Sequence, residues 1–282
     1  MTATTTATAT AVFREPRATG HPAGVAFFAL FRRDLDVLRA KLGLFLGRTV
    51  MQPLLLIFVF TYVFPKIGQG IAGGGSSVAF NNVLLGGVIA STMILQGIQA
   101  VAVPLVLDFG RTREIEDRVH APLPLWAVAV EKVLAGGAET LLAALVVFPL
   151  AYFIPATPVH LDVHWVYLAT LLPLGCLLSA SLGLAIGTRV QPDQVAVVFG
   201  ILVVPMTFLG AVYYTWPALG SLTWLKWAVL ANPLVYLSEG LRLALASGIP
   251  HMPSGAIYAG LAGFTALLLA AGIHGFRKQV LS

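Results

Sequence analysis

The chain has 282 residues, of which 58% are hydrophobic and only 10% are charged. A soluble domain carries about 25% charged residues, so a chain this apolar cannot cover a water-facing surface and must have lipid as its solvent. The net charge of +5 does not indicate nucleic-acid binding, because the basic residues lie between apolar runs. The single cysteine, Cys176, lies inside an apolar run and excludes a disulfide framework within one chain.

The first 22 residues are polar, low in complexity and interrupted by Pro16 and Pro22. They lack the apolar core and the basic start of a secretory signal. We therefore predict a disordered cytosolic tail over residues 1–22 and a single membrane domain over residues 23–282.

Segment 24–42 has the pattern of an amphipathic helix, with apolar residues recurring at steps of three and four. The apolar face holds Phe28, Phe31, Leu35, Leu38 and Leu42. The charged residues, largely on the opposite face, are Arg32, Arg33, Asp36 and Arg39. A basic amphipathic helix before a membrane span is expected to lie flat at the cytosolic interface. The alternative is a plain extension of the first span, although Gly43 and Gly47 would allow a bend between the two.

Six apolar stretches are long enough to cross a bilayer as helices, since a span needs about 20 residues. They are residues 43–64, 80–107, 127–154, 165–188, 195–215 and 255–275. The apolar region 216–247 is interrupted too often by Pro, Gly and charge to be a seventh span. Two short re-entrant or interfacial helices fit it better. The sequence therefore predicts an all-α polytopic membrane protein with six transmembrane helices, an N-terminal interfacial helix and short re-entrant helices before the last span.

The distribution of Lys and Arg predicts the orientation. If the N-terminus is cytosolic, all of the 17 basic residues except Lys66, Lys226 and Arg242 lie on the cytosolic side. This bias predicts that both termini are cytosolic and that the protein is a multi-pass component of the inner membrane.

Segment 108–126 carries a dense run of mixed charge between two predicted spans. Glu114 and Arg118 have the spacing of a helical ion pair, and Ile115 and Val119 form a short apolar ridge. A cytosolic helix of two or three turns with these features suits a groove on a soluble partner. An ordinary solvated loop explains the pattern equally well.

The predicted outer region 211–242 is rich in aromatic residues, among them Tyr213, Tyr214 and Trp216. Tyr and Trp favour the membrane interface, so an aromatic belt is the simpler interpretation, and stacking on a transported substrate is the alternative. Glu239 and Arg242, one helical turn apart, indicate a local ion pair. Their alternative role is to line the exit of a transport pathway.

Glu139 lies well inside the third predicted span. A carboxylate facing lipid there is unfavourable by at least a few kcal/mol, so we expect it to face the bundle interior or a water-filled cavity. The sequence does not decide between a structural hydrogen bond and a role on a transport path.

Motifs for catalysis are missing from the chain. No G-x-x-x-x-G-K-[ST] motif occurs, so ATP phosphates are not bound by that loop. The six histidines are scattered, and no nucleophilic triad or pair of carboxylates stands out. We predict no catalytic residues, no metal site and no resident cofactor, and hence a protein that is not an enzyme on its own.

Three segments together resemble the type-2 ATP-binding cassette (ABC-2) exporter permeases. Residues 31–65 (FRRDLDVLRAKLGLFLGRTVMQPLLLIFVFTYVFP) are similar to that family's amphipathic connecting helix and first span. Residues 108–136 are similar to its first intracellular loop, with a charged helix followed by a Pro-containing turn, a Trp and a Lys. Residues 232–245 (NPLVYLSEGLRLAL) resemble the segment before its last span.

This resemblance implies a half-size exporter. Two copies of the permease would form the pathway, in contact with membrane lipids, and two separate cytosolic ATPase subunits would bind ATP and Mg²⁺. The coupling role would then fall on Glu114, Ile115, Asp117, Arg118 and Val119. The pathway candidates are Glu139, Tyr213, Tyr214, Trp216, Glu239 and Arg242.

Within the family, the daunorubicin-type drug-resistance exporters look most similar, through the F-R-R-D-L start and the M-Q-P-L-L run. That similarity implies an amphipathic or hydrophobic substrate such as a drug, a lipid or a glycolipid, and a role in drug efflux. A polysaccharide-exporting permease, an ion-coupled secondary transporter and a membrane enzyme acting on lipids are the alternatives. The sequence identifies neither the substrate nor whether the two copies are identical.

Overall fold

The computed structural model describes residues 23–63, 66, 77–109, 124–155, 161–246 and 248–281. The predicted disordered tail 1–22 lies outside the described residues, as do positions 110–123 of the charged segment. The described part of the chain is helical and contains no β-strand.

Nine helices follow one another along the described residues. They are α1 (Ala23–Ala40), α2 (Leu42–Val63), α3 (Ser77–Leu107), α4 (Leu125–Phe153), α5 (Trp165–Gly187), α6 (Val195–Phe208), α7 (Thr223–Ala228), α8 (Pro233–Leu245) and α9 (Ser254–Leu281). The last turns of α2 and the middle of α6 are π-helical. Short 3-10 turns at Trp216–Ser221 and Val229–Ala231 flank α7.

Among the described residues, five helices are long and apolar enough to cross a membrane: α2, α3, α4, α5 and α9. They coincide with five of the six predicted spans, and α9 continues several residues beyond the predicted end at 275. The count of six is not confirmed. The predicted span 195–215 corresponds to α6, which has about four turns and is therefore roughly 20 Å long, too short to cross a 30 Å hydrocarbon core alone.

α3 is the centre of the bundle. Its apolar part is 72% buried, against 22% for α2 and 17% for α9. It packs against α2, α4, α5 and α8, and its buried Val88, Met93 and Ile98 lie in the main hydrophobic core. The approach of α3 to α5 is close because Gly183 faces the α3 backbone: a Cβ at Gly183 would lie 2.5 Å from the carbonyl oxygen of Gly97. The exposed surfaces of α2 and α9 are thus the sides of the bundle that lipid or another protein must cover.

The predicted break in region 216–247 is observed as a series of short helices ending in α8. Asn232 caps α8 by accepting a hydrogen bond from the Leu234 amide at 3.0 Å, and Pro233 occupies the first helical position. Both features are typical of helix starts. Nearly all of α8 is buried among α3, α5 and α9, which is the condition under which a short helix is stable at membrane depth.

α1 forms where the amphipathic helix was predicted. Its Phe31 and Leu35 are half-buried, Phe28 is exposed, and the helix packs mainly on α4. Arg32 and Asp36, four positions apart on the charged face, form an ion pair at 4.0 Å between Nε and Oδ2. Its contact with a membrane surface stays a prediction.

The ends of several helices meet at one end of the bundle, which we call the basic end. Phe109, directly after α3, packs edge-on against Phe276 of α9, with ring centroids 5.7 Å apart. The start of α4, the end of α5 and all of α1 lie at this end as well. The opposite end carries the Trp- and Tyr-rich segment 209–232.

Candidate functional site

The residues predicted to couple to an ATPase, Glu114, Ile115, Asp117, Arg118 and Val119, lie outside the described residues. Their role stays a prediction. The other candidate residues fall into two groups: a polar crevice at the basic end and a buried network at the opposite end.

The crevice lies between α1, α3 and α4 and has a volume of about 390 Å³. Charged side chains of both signs line it: Arg33, Asp34, Lys41, Asp108, Lys132 and Glu139. Small and apolar residues such as Ala100 and Gly136 complete the wall. A crevice of this composition admits water and polar groups to a depth where a lipid-facing helix surface would be apolar.

A salt bridge closes one side of the crevice. Lys132 Nζ lies 2.6 Å from Asp34 Oδ2, and the two side chains are only 12% and 16% exposed. The bond joins α1 to α4, and it is stronger than a surface pair because it is partly shielded from water. Lys132 is not among the predicted site residues. Its pairing with Asp34, 98 positions earlier, is not visible from the spacing of residues in the sequence.

Glu139 lies on the wall of the crevice and is partly buried. It interacts with the side chain of Gln96 and with the charges of Arg48, Asp34 and Lys132. Gln96 in turn accepts a hydrogen bond from Thr49 Oγ1 at 3.1 Å. Glu139 therefore belongs to a polar cluster built from α2, α3 and α4, and it does not face lipid as an isolated charge.

α2 carries two polar residues that the sequence analysis did not single out. Arg48 and Gln52 lie about 9 and 15 Å along the helix from Leu42, and both are exposed. They border an open groove of about 500 Å³ on the outside of the bundle, together with Met51 and Phe60. Both residues could have been identified from the sequence, since they interrupt the apolar run that predicts the first span.

At the opposite end, Glu239 and Arg242 of α8 form the predicted ion pair. Glu239 Oε1 lies 2.9 Å from Arg242 Nη1, and both side chains are fully buried. Glu239 also accepts hydrogen bonds from the amides of Trp216 at 2.9 Å and Met252 at 2.8 Å. The carboxylate thus holds together the segments on either side of α8.

Arg242 binds main-chain carbonyl groups. Its Nε donates to the Val83 carbonyl on α3 at 3.0 Å, and its Nη2 donates to the carbonyls of Ala211 and Val212, the latter at 3.0 Å. Ala211 is fully buried and has a positive φ of 54°, a conformation that is unfavourable for a residue with a side chain. The chain therefore turns sharply after α6 at the point where Arg242 satisfies its carbonyls.

The aromatic candidates surround this network. Tyr213 packs between Phe60 of α2 and Phe208 of α6, with centroid distances of 5.4 and 6.2 Å. Tyr214 lies near Arg242. The Trp216 ring donates from Nε1 to the Lys226 carbonyl at 3.0 Å and lies 4.3 Å from the Lys226 ammonium. These residues lie together at one end of the bundle, far from Glu139, and a role for them on a transport pathway stays a prediction.

The long apolar helices and the short buried helix α8 define a multi-pass membrane protein, and the crevice gives it a cavity lined by charged side chains. Comparison with known proteins agrees with this class. The model of the ABC-2 type transporter family matches residues 25–246, from α1 through the end of α8. The chain therefore belongs to the ABC-2 type transporter family.

Curated relatives support the same conclusion. The chain is 27% identical over 213 residues to the inner membrane transport permease YadH of Escherichia coli (strain K12), a match covering 73% of this chain and 78% of that protein. The protein of the same name from Shigella flexneri matches equally well. With its apolar helices, this similarity identifies the chain as a multi-pass inner-membrane permease.

Proposed function

We propose that this protein is the membrane subunit of an ATP-driven exporter that works as a pair of permease copies with two cytosolic ATPase subunits. The observation that carries the proposal is the family match over residues 25–246. The sequence contains no phosphate-binding loop of the Walker type, so we assign ATP binding and hydrolysis to separate subunits.

The exposed side of α2 supports a second copy of the chain. Arg48 and Gln52 are exposed on a helix whose remaining outer surface is apolar, for example Leu44 and Leu55. A charged or amide side chain near the middle of the bilayer is unfavourable in lipid by a few kcal/mol. The side chains are accommodated if a second copy covers this side of α2 and encloses water between the two bundles.

α6 supports the same arrangement. Its Val197, Ile201, Val204 and Phe208 are exposed, and Val203 is the single buried residue of this helix. Tyr213 joins the end of α6 to the end of α2, so both helices border the same side of the bundle. A helix this exposed and this short is stabilised when another protein surface packs against it.

The polar residues outline a route for a transported substrate. The crevice at the basic end leads to Glu139, which adjoins Gln96 and Arg48, and Gln52 lies about one turn further along α2. The surrounding walls are largely Leu, Val, Met and Phe. A mixed surface of this kind suits an amphipathic substrate, whose polar group would follow the polar residues while its apolar part stays against the helices.

The orientation completes the proposal. The basic end would face the cytosol, in keeping with the excess of Lys and Arg there, and both termini would be cytosolic. The charged segment that links α3 to α4 would then be cytosolic and accessible to an ATPase subunit.

The experiment is to co-express the permease with a candidate ABC ATPase subunit, purify the complex through a tag on the permease, and reconstitute it in liposomes. We expect stable co-purification and hydrolysis of ATP that rises with the transported compound. Lipids, glycans and hydrophobic drugs are compared as stimulants, with an ATPase variant lacking its Walker lysine as the control. Transport that proceeds without the ATPase and follows an ion gradient would show a secondary transporter instead.

A further inference from the structure

A second groove at the basic end lies between the C-terminal ends of α5 and α9 and has a volume of about 450 Å³. Its lining residues are Thr188, Arg189, His274, Gly275, Lys278 and Gln279. Among these described residues there are two permanent cations and a histidine but no acidic side chain. This composition differs from the crevice beside α1, where the charges of both signs are balanced.

The floor of the groove is formed by a close contact between the two helices. A Cβ at Gly275 would lie 2.5 Å from Thr188 Oγ1, so only glycine allows α9 to approach α5 this closely here. Thr188 Oγ1 is itself bound to the Leu184 carbonyl at 2.9 Å. The narrow floor and the long side chains above it leave a concave basic surface.

Arg189 is held in position at one side of the groove. Its Nη1 donates to the Ala185 carbonyl at 2.7 Å, and its Nη2 donates to the Ala271 carbonyl of α9 at 3.1 Å. A guanidinium has five N–H groups, so donors remain for an anion after these two bonds. Because the group is already fixed, little conformational entropy is lost when an oxyanion binds.

The groove continues directly onto an apolar surface. Leu267, Ala270, His274 and Lys278 follow one another on α9 at steps of three, four and four, which places them on one side of the helix. Leu267 is 63% exposed and Ala270 is exposed. Leu267 lies about 10 Å from His274 along the helix axis. The surface is therefore apolar towards the bilayer centre and basic at the helix end.

We propose that this groove binds the phosphate of an anionic phospholipid from the cytosolic leaflet, with an acyl chain lying along Leu267 and Ala270. Basic pockets between transmembrane helices on the cytosolic side recognise such headgroups, and each cation near the surface contributes about 1 kcal/mol. The apolar continuation favours a lipid over a free phosphate or an acidic protein surface. The choice of leaflet rests on the orientation given under the proposed function; the binding itself does not depend on transport.

The test uses the purified full-length permease, stripped of lipid in detergent, and follows its thermal unfolding. Mixed micelles of phosphatidylglycerol, mixed micelles of phosphatidylcholine, and inorganic phosphate are added separately. We expect phosphatidylglycerol to raise Tm of the wild type and the other two additions to leave it nearly unchanged. An equal response to phosphatidylcholine or to phosphate would overturn the proposal.

A double variant removes the two permanent cations of the groove, Arg189→Gln with Lys278→Gln. The matched control, Lys66→Gln with Arg277→Gln, removes the same charge from exposed residues that do not line the groove. We expect the groove variant to need at least tenfold more phosphatidylglycerol for the same rise in Tm, and the control to respond like the wild type. Equal losses in the two variants would show unspecific attraction and refute a site.

Photo-crosslinking of the wild type tests the same site without any substitution, so the proposal remains testable if the groove variant fails to fold. A photoactivatable phosphatidylglycerol should label peptides containing residues 267–278, and labelling should be competed by unmodified phosphatidylglycerol. Labelling that avoids this segment would refute the site. If the groove variant keeps its lipid response and instead loses the ATPase in pull-down, the groove is a protein-binding surface and the lipid proposal is wrong.

Discussion

The Glu239 carboxylate and the Arg242 guanidinium lie 2.9 Å apart at a place where neither side chain reaches solvent. Together they bind the amides of Trp216 and Met252 and the carbonyl of Val83 on α3. Two charges from one turn of α8 thereby connect α3, the turn after α6 and the segment before α9. The pair organises the end of the bundle where the backbone is least regular.

We expect Arg242→Met to destabilise the protein by about 3–5 kcal/mol, because Glu239 would keep a buried charge without its ion partner. The carbonyls of Val83, Ala211 and Val212 would lose a donor at the same time. Thermal unfolding in detergent measures the effect. The control is Arg32→Gln, whose pair with Asp36 is 78% and 65% exposed and is expected to contribute at most about 1 kcal/mol. Similar Tm values for both variants would contradict a supporting role for Arg242.

The second prediction concerns the contact between α3 and α5. Gly183→Ala would place a methyl group 2.5 Å from the Gly97 carbonyl oxygen, and because backbone cannot move aside cheaply we expect a loss of about 1–3 kcal/mol. Gly263→Ala is the matched control, since no atom lies within 4 Å of the added Cβ on the exposed side of α9. Thermal unfolding of the two variants should differ clearly, with the control at or above wild type. A Gly183→Ala protein as stable as wild type would mean that the two helices separate without penalty.

Much of this fold follows from the sequence, because a bilayer requires long apolar helices and such runs are visible directly. The fifth predicted span differs from α6 for a reason that lies outside the local sequence. The run from Val195 to Trp216 is apolar throughout, so hydropathy does not show that α6 ends at Phe208. The helix ends where Arg242, about 30 positions later, binds the carbonyls of Ala211 and Val212. Such a partner is not visible in the local pattern.

The candidate site likewise has some contacts that can be predicted from the sequence and others that cannot. The Glu239–Arg242 pair could be predicted because both residues lie on one turn of a helix. The bond between Asp34 and Lys132 could not, because it joins helices 98 positions apart, and the sequence contains no mark of their contact. Arg48 and Gln52 could have been found, since polar residues within a predicted span indicate a site facing water or protein.

The third prediction concerns Glu139. Glu139→Gln should preserve folding and assembly, since the amide keeps the size of the side chain and its polar contact with Gln96. Glu139→Leu should lower transport or folding, because it removes a carboxylate that interacts with Arg48 and places an apolar side chain against the polar Gln96. Transport in proteoliposomes is compared with that of Leu141→Ala, a change of an exposed apolar residue on the same helix. Wild-type transport in both Glu139 variants would show that the side chain has no specific role.

The fourth prediction tests the orientation. Cys176 is the one native cysteine and is buried. Replacing it with serine gives a background without a thiol, so that any labelling comes from the new cysteine. New cysteines at the exposed Ser221 and Gln191 lie at opposite ends of the bundle, the first in the segment 209–232 and the second in the turn between α5 and α6. A membrane-impermeant maleimide added to intact spheroplasts should label Ser221→Cys and should label Gln191→Cys only after the membrane is opened. The reverse pattern would invert the topology and place the basic end outside.

The last prediction concerns coupling to the ATPase. Hydrolysis takes place in another polypeptide in the proposed complex, so force must cross a protein–protein contact. The segment 108–121 is the candidate for that contact because its charges flank the apolar residues Ile115 and Val119. Individual rim charges contribute only about 0–1 kcal/mol, so Glu114→Gln and Arg118→Gln should each be tolerated.

Ile115→Asp should not be tolerated, since it would bury an unpaired carboxylate in the contact. We expect this variant to insert and to purify as wild type but to lose co-purification of the ATPase and substrate-stimulated hydrolysis. Ile115→Leu, which keeps the apolar side chain, serves as the matched control and should retain both. If Ile115→Asp still binds its ATPase and transports normally, force does not pass through this segment. The short turn between α5 and α6 would then be the next candidate for the contact.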